Sequence, residues 1–207
     1  MEHKTGIASQ ARQPHDLLGT LFGYSMAFLN DQMNGKVVDL LRVQATDHVL
    51  EIGFGPGKTI QQMAKLAVNG LVAGIDFSEV MVRQAQGRNK EAIRAGKVEI
   101  KRASVSEIPY KDKWFDKVCA VNTFQFWPAP EADLHEVWRV MKSGGLFVLA
   151  IRGQRPDGKA DFNRLGFSAE QIQETLALLE RAGFHETRTE VARVRFMTAV
   201  CLMAQKP

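Results

Sequence analysis

Cysteine is nearly absent from this 207-residue chain: Cys119 and Cys201 are the only two. Each sits inside an apolar run, Val118–Val121 and Ala199–Leu202. Two isolated thiols make neither a disulfide framework nor a zinc site, so buried, reduced cysteines and no metal are expected. Long apolar runs are missing too. Nowhere do eighteen apolar residues follow one another, and the first thirty residues lack the core of a secretion signal. A cytoplasmic protein is the default expectation. Lys and Arg exceed Asp and Glu by only 27 to 23 and are scattered rather than blocked. Without a basic stripe, no nucleic-acid partner is expected. Internal repeats, low-complexity tracts and linkers are lacking as well, so one globular domain is expected.

What is present is a regular alternation. Strand-like runs lie at His48–Ile52, Leu71–Ile75, Val98–Arg102, Lys117–Val121, Leu146–Ile151, Thr187–Val191 and Thr198–Ala204. Helical periodicity fills Thr59–Ala67, Glu79–Arg88, Ala132–Met141 and Ala169–Ala182. Ser78 and Ser168 stand where helix caps belong, and Gly70, Gly96, Gly144, Gly145 and Gly183 where helices hand over to strands. Such alternation calls for an α/β fold, a mostly parallel sheet covered on both faces. Ahead of it, apolar residues between His15 and Leu41 recur at helical spacing, interrupted by Gly19, Gly23 and Gly35. Residues 1–45 are therefore read as a helical extension, and 46–207 as the main domain.

The glycine cluster in "EIGFGPGKTI" (51–60) decides the ligand class. A triphosphate loop ending in Gly57-Lys58-Thr59 needs its first glycine at position 52, which is Ile52. A dinucleotide fingerprint needs a third glycine at 58 or 60, where Lys58 and Ile60 stand. Both readings fail. What remains is Glu51-x-Gly53-x-Gly55-x-Gly57 between a strand and a helix. The next strand, Leu71–Asp76, ends in a carboxylate placed to accept bonds from two ribose hydroxyls.

This string resembles motif I of the class I S-adenosylmethionine-dependent methyltransferases, especially the small type related to ubiquinone and menaquinone biosynthesis. Further phrases keep register with that family: Asp76-Phe77-Ser78-Glu79-Val80-Met81, "VEIKRASVSEIPYKDKWFDKV" (98–118) and "LHEVWRVMKSGGLFVLA" (134–150). The resemblance runs from about Lys36 to the C-terminus. It implies a Rossmann-like three-layer sandwich whose seven-stranded sheet ends in an antiparallel C-terminal strand. It also implies S-adenosyl-L-methionine as cofactor, with S-adenosyl-L-homocysteine as product. Gly53, Gly55 and Gly57 would then hug the amino-acid tail, which Glu51 helps to orient, and Asp76 would take the ribose. Ser104 stands where many relatives have an adenine-binding Asp, with the Val105 amide beside the ring. Phe54 and Phe77 either flank the cofactor or pack in the core.

The methyl group should emerge at the end of the fourth strand, Asn122-Thr-Phe-Gln-Phe-Trp-Pro128. Asn122 is a candidate contact to cofactor and acceptor there, and Phe126 and Trp127 are candidate pocket walls. Gln125 replaces a His found in many relatives, which excludes a His base from this loop. Tyr24, ahead of His15, is the candidate catalytic and substrate residue of the N-terminal segment, expected to be a lid. Arg152 could meet an anionic acceptor. A small apolar or amphiphilic acceptor is expected, because Phe22, Met26, Phe28 and Met33 make that segment adaptable and apolar. A phospholipid amine N-methyltransferase working at a membrane surface, and a module that holds the cofactor without chemistry, are the alternatives.

Overall fold

The structure, a computed structural model, describes residues 31–154, 166–194 and 197–207. Tyr24 and His15 lie outside the described residues, as does the helical periodicity before residue 31. Helix α1, Asp31–Leu41, precedes strand β1, His48–Ile52. Then follow α2 (Lys58–Ala64), β2 (Leu71–Asp76), α3 (Glu79–Arg88), a short α4 (Lys90–Arg94) and β3 (Val98–Arg102). Strand β4 (Phe115–Val121) runs into a 3-10 turn at Phe124–Phe126. Helix α5 (Pro130–Val140), β5 (Met141–Gly153), α6 (Ala169–Arg181), β6 (His185–Val194) and β7 (Met197–Gln205) complete the chain.

The seven strands lie in the order β3-β2-β1-β4-β5-β7-β6. All neighbours are parallel except β7, which is antiparallel to both β5 and β6. The antiparallel C-terminal strand is thus wedged between its two partners.

Side chains of a strand alternate between faces, and the two sides of the sheet fill differently. Leu50, Ile52, Val118 and Ala120 join Leu134, Val137 and Leu179 of α5 and α6. Val49, Cys119 and Val121 join Met33, Val37, Ile60, Met63 and Ala85 of α1, α2 and α3. Helix α1 is part of this second layer, with Met33, Val37 and Leu41 fully buried. Both cysteines are buried and unpaired. Burial pushes the Cys119 thiol well above its ordinary pKa.

Several boundaries differ from the periodicity. Helix α2 ends at Ala64 rather than Ala67, because Lys65 and Leu66 donate to the carbonyls of Gln62 and Met63 in tighter turns. Helix α5 begins at Pro130, since the fixed φ of proline suits the first helical position, where no N–H bond is lost. Strand β5 begins at Met141, paired with Phe115, and a bulge carries Lys142–Gly145 past β4 before Leu146 pairs with Lys117. The five-residue α4 had no legible signal, having no fully buried residue and only Ala92 and Ile93 resting on the core.

Among the described residues no helix is long and apolar enough to cross a membrane. No group of three or more His, Cys, Asp or Glu among them is placed to hold a metal ion.

Candidate functional site

The strand order reverses between β1 and β4, and in open α/β sheets the crevice beyond the strand ends at that point receives the ligand. Three segments leave the sheet there: the glycine loop after β1, the Asp76–Ser78 turn after β2, and the Asn122–Pro128 turn after β4. They surround a cavity of about 460 Å³, within the usual range for small-molecule sites of roughly 300–1,000 Å³.

In the glycine loop Gly53, Gly55 and Gly57 all have positive φ, at 71°, 54° and 76°. The Gly53 amide donates to Ile75 O (2.8 Å), extending the β1–β2 pairing by one residue, and Gly57 N donates back to Phe54 O (3.0 Å). From α3, Arg88 Nε donates to Pro56 O (2.9 Å) and Asn89 Nδ2 to Gly57 O (3.1 Å). Two of the loop carbonyls are therefore held by the C-terminal end of α3.

Asp76 joins two of the segments. Its Oδ2 accepts from Gly55 N (3.0 Å) and its Oδ1 from Ser78 N (2.9 Å). Each oxygen keeps acceptor capacity beyond that one bond, and the residue lines the cavity. Burial pushes its pKa up to about 6, against the opposing effect of the Ser78 and Gly55 amides.

Glu51 points to the other face of β1, as alternation from Leu50 requires, and is 2% exposed. It lies beside its strand partner Cys119 and beneath the start of α2, where the Thr59 side chain and the Ile60 N–H bond it. Gly57 offers no side-chain cap to α2; the Glu51 carboxyl supplies those acceptors from below. Its Oε2 has no hydrogen-bond partner. Burial pushes the pKa up to about 8.

A carboxyl whose folded pKa lies above its ordinary value of 4.5 costs nothing at acid pH and destabilises the fold progressively as pH rises toward 8. Glu51→Gln is therefore expected to gain stability relative to wild type between about pH 5 and pH 8 and to level off above. Urea denaturation across that range checks this. Parallel stability curves for the two proteins would show that Glu51 carries no such burden.

The remaining cavity wall comes from Ile52, Ile75, Phe77, Ala103, Ser104, Val105, Thr123, Phe126, Trp127 and Pro128. Seven residues singled out from sequence meet here: Gly53, Asp76, Phe77, Ser104, Val105, Phe126 and Trp127. Others do not. The Phe54 side chain turns into the core, 4% exposed, and occupies the space above Gly74, so it packs rather than lining the cavity. Asn122 is buried and outside the cavity lining, at φ 53°, with its main-chain N–H donating to Ala150 O (2.8 Å) and its main-chain carbonyl accepting from Gln125 Nε2 (2.9 Å). Arg152 is half-buried opposite Ala199, with its carbonyl accepting from Phe167 N, and is not part of this wall.

Thr123 was not singled out, although it follows directly on the polar end of β4. It stands against the glycine loop so closely that a Cβ built on Gly53 would lie 2.4 Å from Thr123 Oγ1.

The wall holds no lysine or arginine among the described residues, and its one titratable group is the carboxylate of Asp76. A phosphate placed there would meet an uncompensated like charge, whereas a nucleoside with a diol and a positively charged sulfonium suits it. Asp76 has lone pairs for a ribose. The apolar side chains of Ile75, Ala103 and Val105 suit a base, and Glu51 Oε2 is a polar atom without a partner near the glycine loop. The residues fit an S-adenosylmethionine cofactor.

Comparison with known proteins agrees. A family model described as a methyltransferase domain matches residues 50–149. The chain is 28% identical over 185 residues to YdaC of Bacillus subtilis (strain 168), named an uncharacterized methyltransferase, covering 89% of this chain and 97% of YdaC. A demethylmenaquinone methyltransferase of Lactiplantibacillus plantarum is 30% identical over 118 residues, which are 56% of this chain and about half (49%) of that protein. Among solved structures, a SAM-dependent methyltransferase from Aquifex aeolicus superposes with a TM-score of 0.66 at 24% identity, over 82% of this chain and 88% of that one.

Proposed function

Since this chain belongs to the class I S-adenosylmethionine-dependent methyltransferases, we propose that its methyl acceptor is a small apolar or amphiphilic molecule. The observation that carries this reading is the aromatic and apolar edge after β4. Phe126, Trp127 and Pro128 stand there with Phe77, itself 38% exposed, around a cavity whose only charge among the described residues is Asp76. An acceptor with a charged phosphate would find no cation on this wall. The demethylmenaquinone methyltransferase among the relatives supports the same class.

The cofactor supplies, when bound, an electrophilic methyl group on a sulfonium. The chain's part is holding and drying. Asp76 would hold the ribose hydroxyls, the Gly53–Gly57 loop and Glu51 the amino-acid end, and Ser104 and Val105 the adenine. Ile52, Ile75 and Trp127 exclude water from the interior. Alignment of this kind supplies about 7–11 kcal/mol of a barrier, more than the roughly 10²–10⁴-fold that a general base adds. The described wall offers no base: Asp76 is tied to two amides, and Gln125 does not titrate. An acceptor that is nucleophilic without losing a proton to the enzyme suits such a wall. Tyr24 and Asn122 remain our candidates for orienting it, with Arg152 for an anionic group.

The test is incubation with methyl-labelled S-adenosylmethionine and fractionated metabolite and lipid extracts, followed by mass identification of the labelled product. Label is expected in a small apolar or amphiphilic compound. Label confined to phospholipid amines, or to protein or nucleic acid, would overturn the reading.

A further inference from the structure

The segment between β3 and β4 carries Ser104 and Val105 into the cavity wall, yet it contains neither helix nor strand. Its local bonds are few. Ala103 N donates to Asp76 O (3.1 Å), Glu107 N to Ser104 O (3.2 Å), Ser106 N to Ser104 Oγ (3.2 Å), Ser104 Oγ–H to Ser106 Oγ (3.3 Å) and Tyr110 N to Ile108 O (2.7 Å). A loop so sparsely bonded to itself needs an external anchor to present a defined surface.

Tyr110 Oη, which donates to Glu99 Oε2 of β3 (2.9 Å), is one such anchor, and the other is a pair of side chains toward the C-terminal end of α5. The Arg139 guanidinium meets Glu136 in a two-pronged bond, Nε to Oε2 and Nη2 to Oε1, both 2.7 Å. Its outer nitrogens also donate to Ile108 O (3.0 Å), Tyr110 O (2.9 Å) and Asp112 Oδ1 (2.6 Å). Glu136 Oε1 in turn accepts from Ile108 N (2.8 Å). Both backbone groups of Ile108 therefore bond to this pair, the carbonyl sharing it with Tyr110 N, while the side chain is buried in the core. Two main-chain bonds finish the seam, Lys113 N to Arg139 O and Trp114 N to Val140 O. Exposed ion pairs contribute little, but this one is different: it satisfies the polar backbone of a loop, and its side chains are only 32% and 19% exposed.

We propose that Arg139 and Glu136 are positioning residues for the cofactor, fixing the adenine-side wall without touching the ligand. The lever is short. Ile108 is held by the pair, and the Ser104–Glu107 turn beside it delivers that position to Ser104 and Val105. Lysine cannot substitute for arginine here, because a single ammonium cannot reach the Glu136 carboxylate and two carbonyls as a planar fork does. This inference rests on the nucleoside occupying the cavity, as the family assignment requires.

The test uses the full chain carrying Arg139→Lys or Glu136→Gln, with Lys142→Gln as control. Lys142 makes a comparable pair with Asp116 (2.8 Å), but without loop contacts. Three readings are taken: calorimetric affinity for adenosine and S-adenosylhomocysteine, hydrogen exchange of the Ile108 amide, and the split between KM for S-adenosylmethionine and kcat.

Arg139→Lys is expected to weaken both ligands by about tenfold or more, the scale of one lost charge-assisted bond. It should also speed Ile108 exchange and raise KM with little change in kcat. The control should leave all three unchanged. Faster Ile108 exchange with unaltered adenosine affinity would overturn the proposal and leave the pair a purely structural clamp. Should Arg139→Lys not fold, the same readings on Glu136→Gln decide. Failure of the unsubstituted protein to bind either ligand would instead remove the cofactor site itself, and this proposal with it.

Discussion

Asp76→Ala is expected to weaken S-adenosylhomocysteine binding by about 10²- to 10⁴-fold, the equivalent of two charge-assisted hydrogen bonds at roughly 1.5–3 kcal/mol each. The same carboxylate also holds the Gly55 and Ser78 amides, so truncation releases the glycine loop from the β2 turn as well. Asp76→Asn separates the two effects. The amide oxygen still accepts one main-chain bond, but its NH₂ faces a second N–H donor, and an intermediate loss is expected.

A pH dependence accompanies this. Burial holds the Asp76 pKa near 6 in the free protein, and ribose hydroxyls bind the ionised form. Affinity should be flat above that value and fall as pH drops through it, approaching about tenfold per pH unit. Calorimetry at a series of pH values reads both effects. Asp76→Ala with undiminished affinity would refute the ribose assignment.

The second large effect is on stability. Gly57→Ala is expected to cost about 2–5 kcal/mol, combining roughly 1–2 kcal/mol for a left-handed backbone with roughly 1–3 kcal/mol for overpacking. At Gly57 φ is 76°, and a Cβ would fall 2.6 Å from Ala85 Cβ, 2.9 Å from Ala85 Cα and 2.9 Å from Asn89 Nδ2. The Ala85 contacts belong to α3 itself and can be relieved only by moving that helix off the loop. Gly55→Ala is the comparison: φ is 54° but nothing lies within 4 Å, so only the backbone term of about 1–2 kcal/mol applies. Denaturation of both variants, with and without S-adenosylhomocysteine, checks the ranking. Equal losses would mean that the close approach of α3 does not constrain Gly57.

Much of this architecture was legible because it is written in short-range chemistry. The parallel strands are apolar runs, Ser78 and Ser168 accept from Met81 and Gln171 as helix caps should, and the glycines mark the backbone turns. Legibility ended where tertiary contacts decide. Nothing local separates Phe54 from Phe77, yet one fills the space above Gly74 and the other lines the cavity. Asn122 follows β4 directly, yet at its positive φ the chain turns and it is Thr123 that lines the cavity of the free protein. The partners of Glu136 and Arg139 lie 27 to 31 positions away in the chain, and a charged i,i+3 pair on a helix gives no sign of them.

All of these assignments depend on a sugar held by Asp76 beside the glycine loop, and a crystal structure of the complex with S-adenosylhomocysteine measures that contact directly. Both ribose hydroxyls are expected within hydrogen-bond distance of the Asp76 carboxylate, with adenine against Val105 and Ser104. A ribose seated away from Asp76, or side chains filling the cavity in its place, would contradict the assignment of this site.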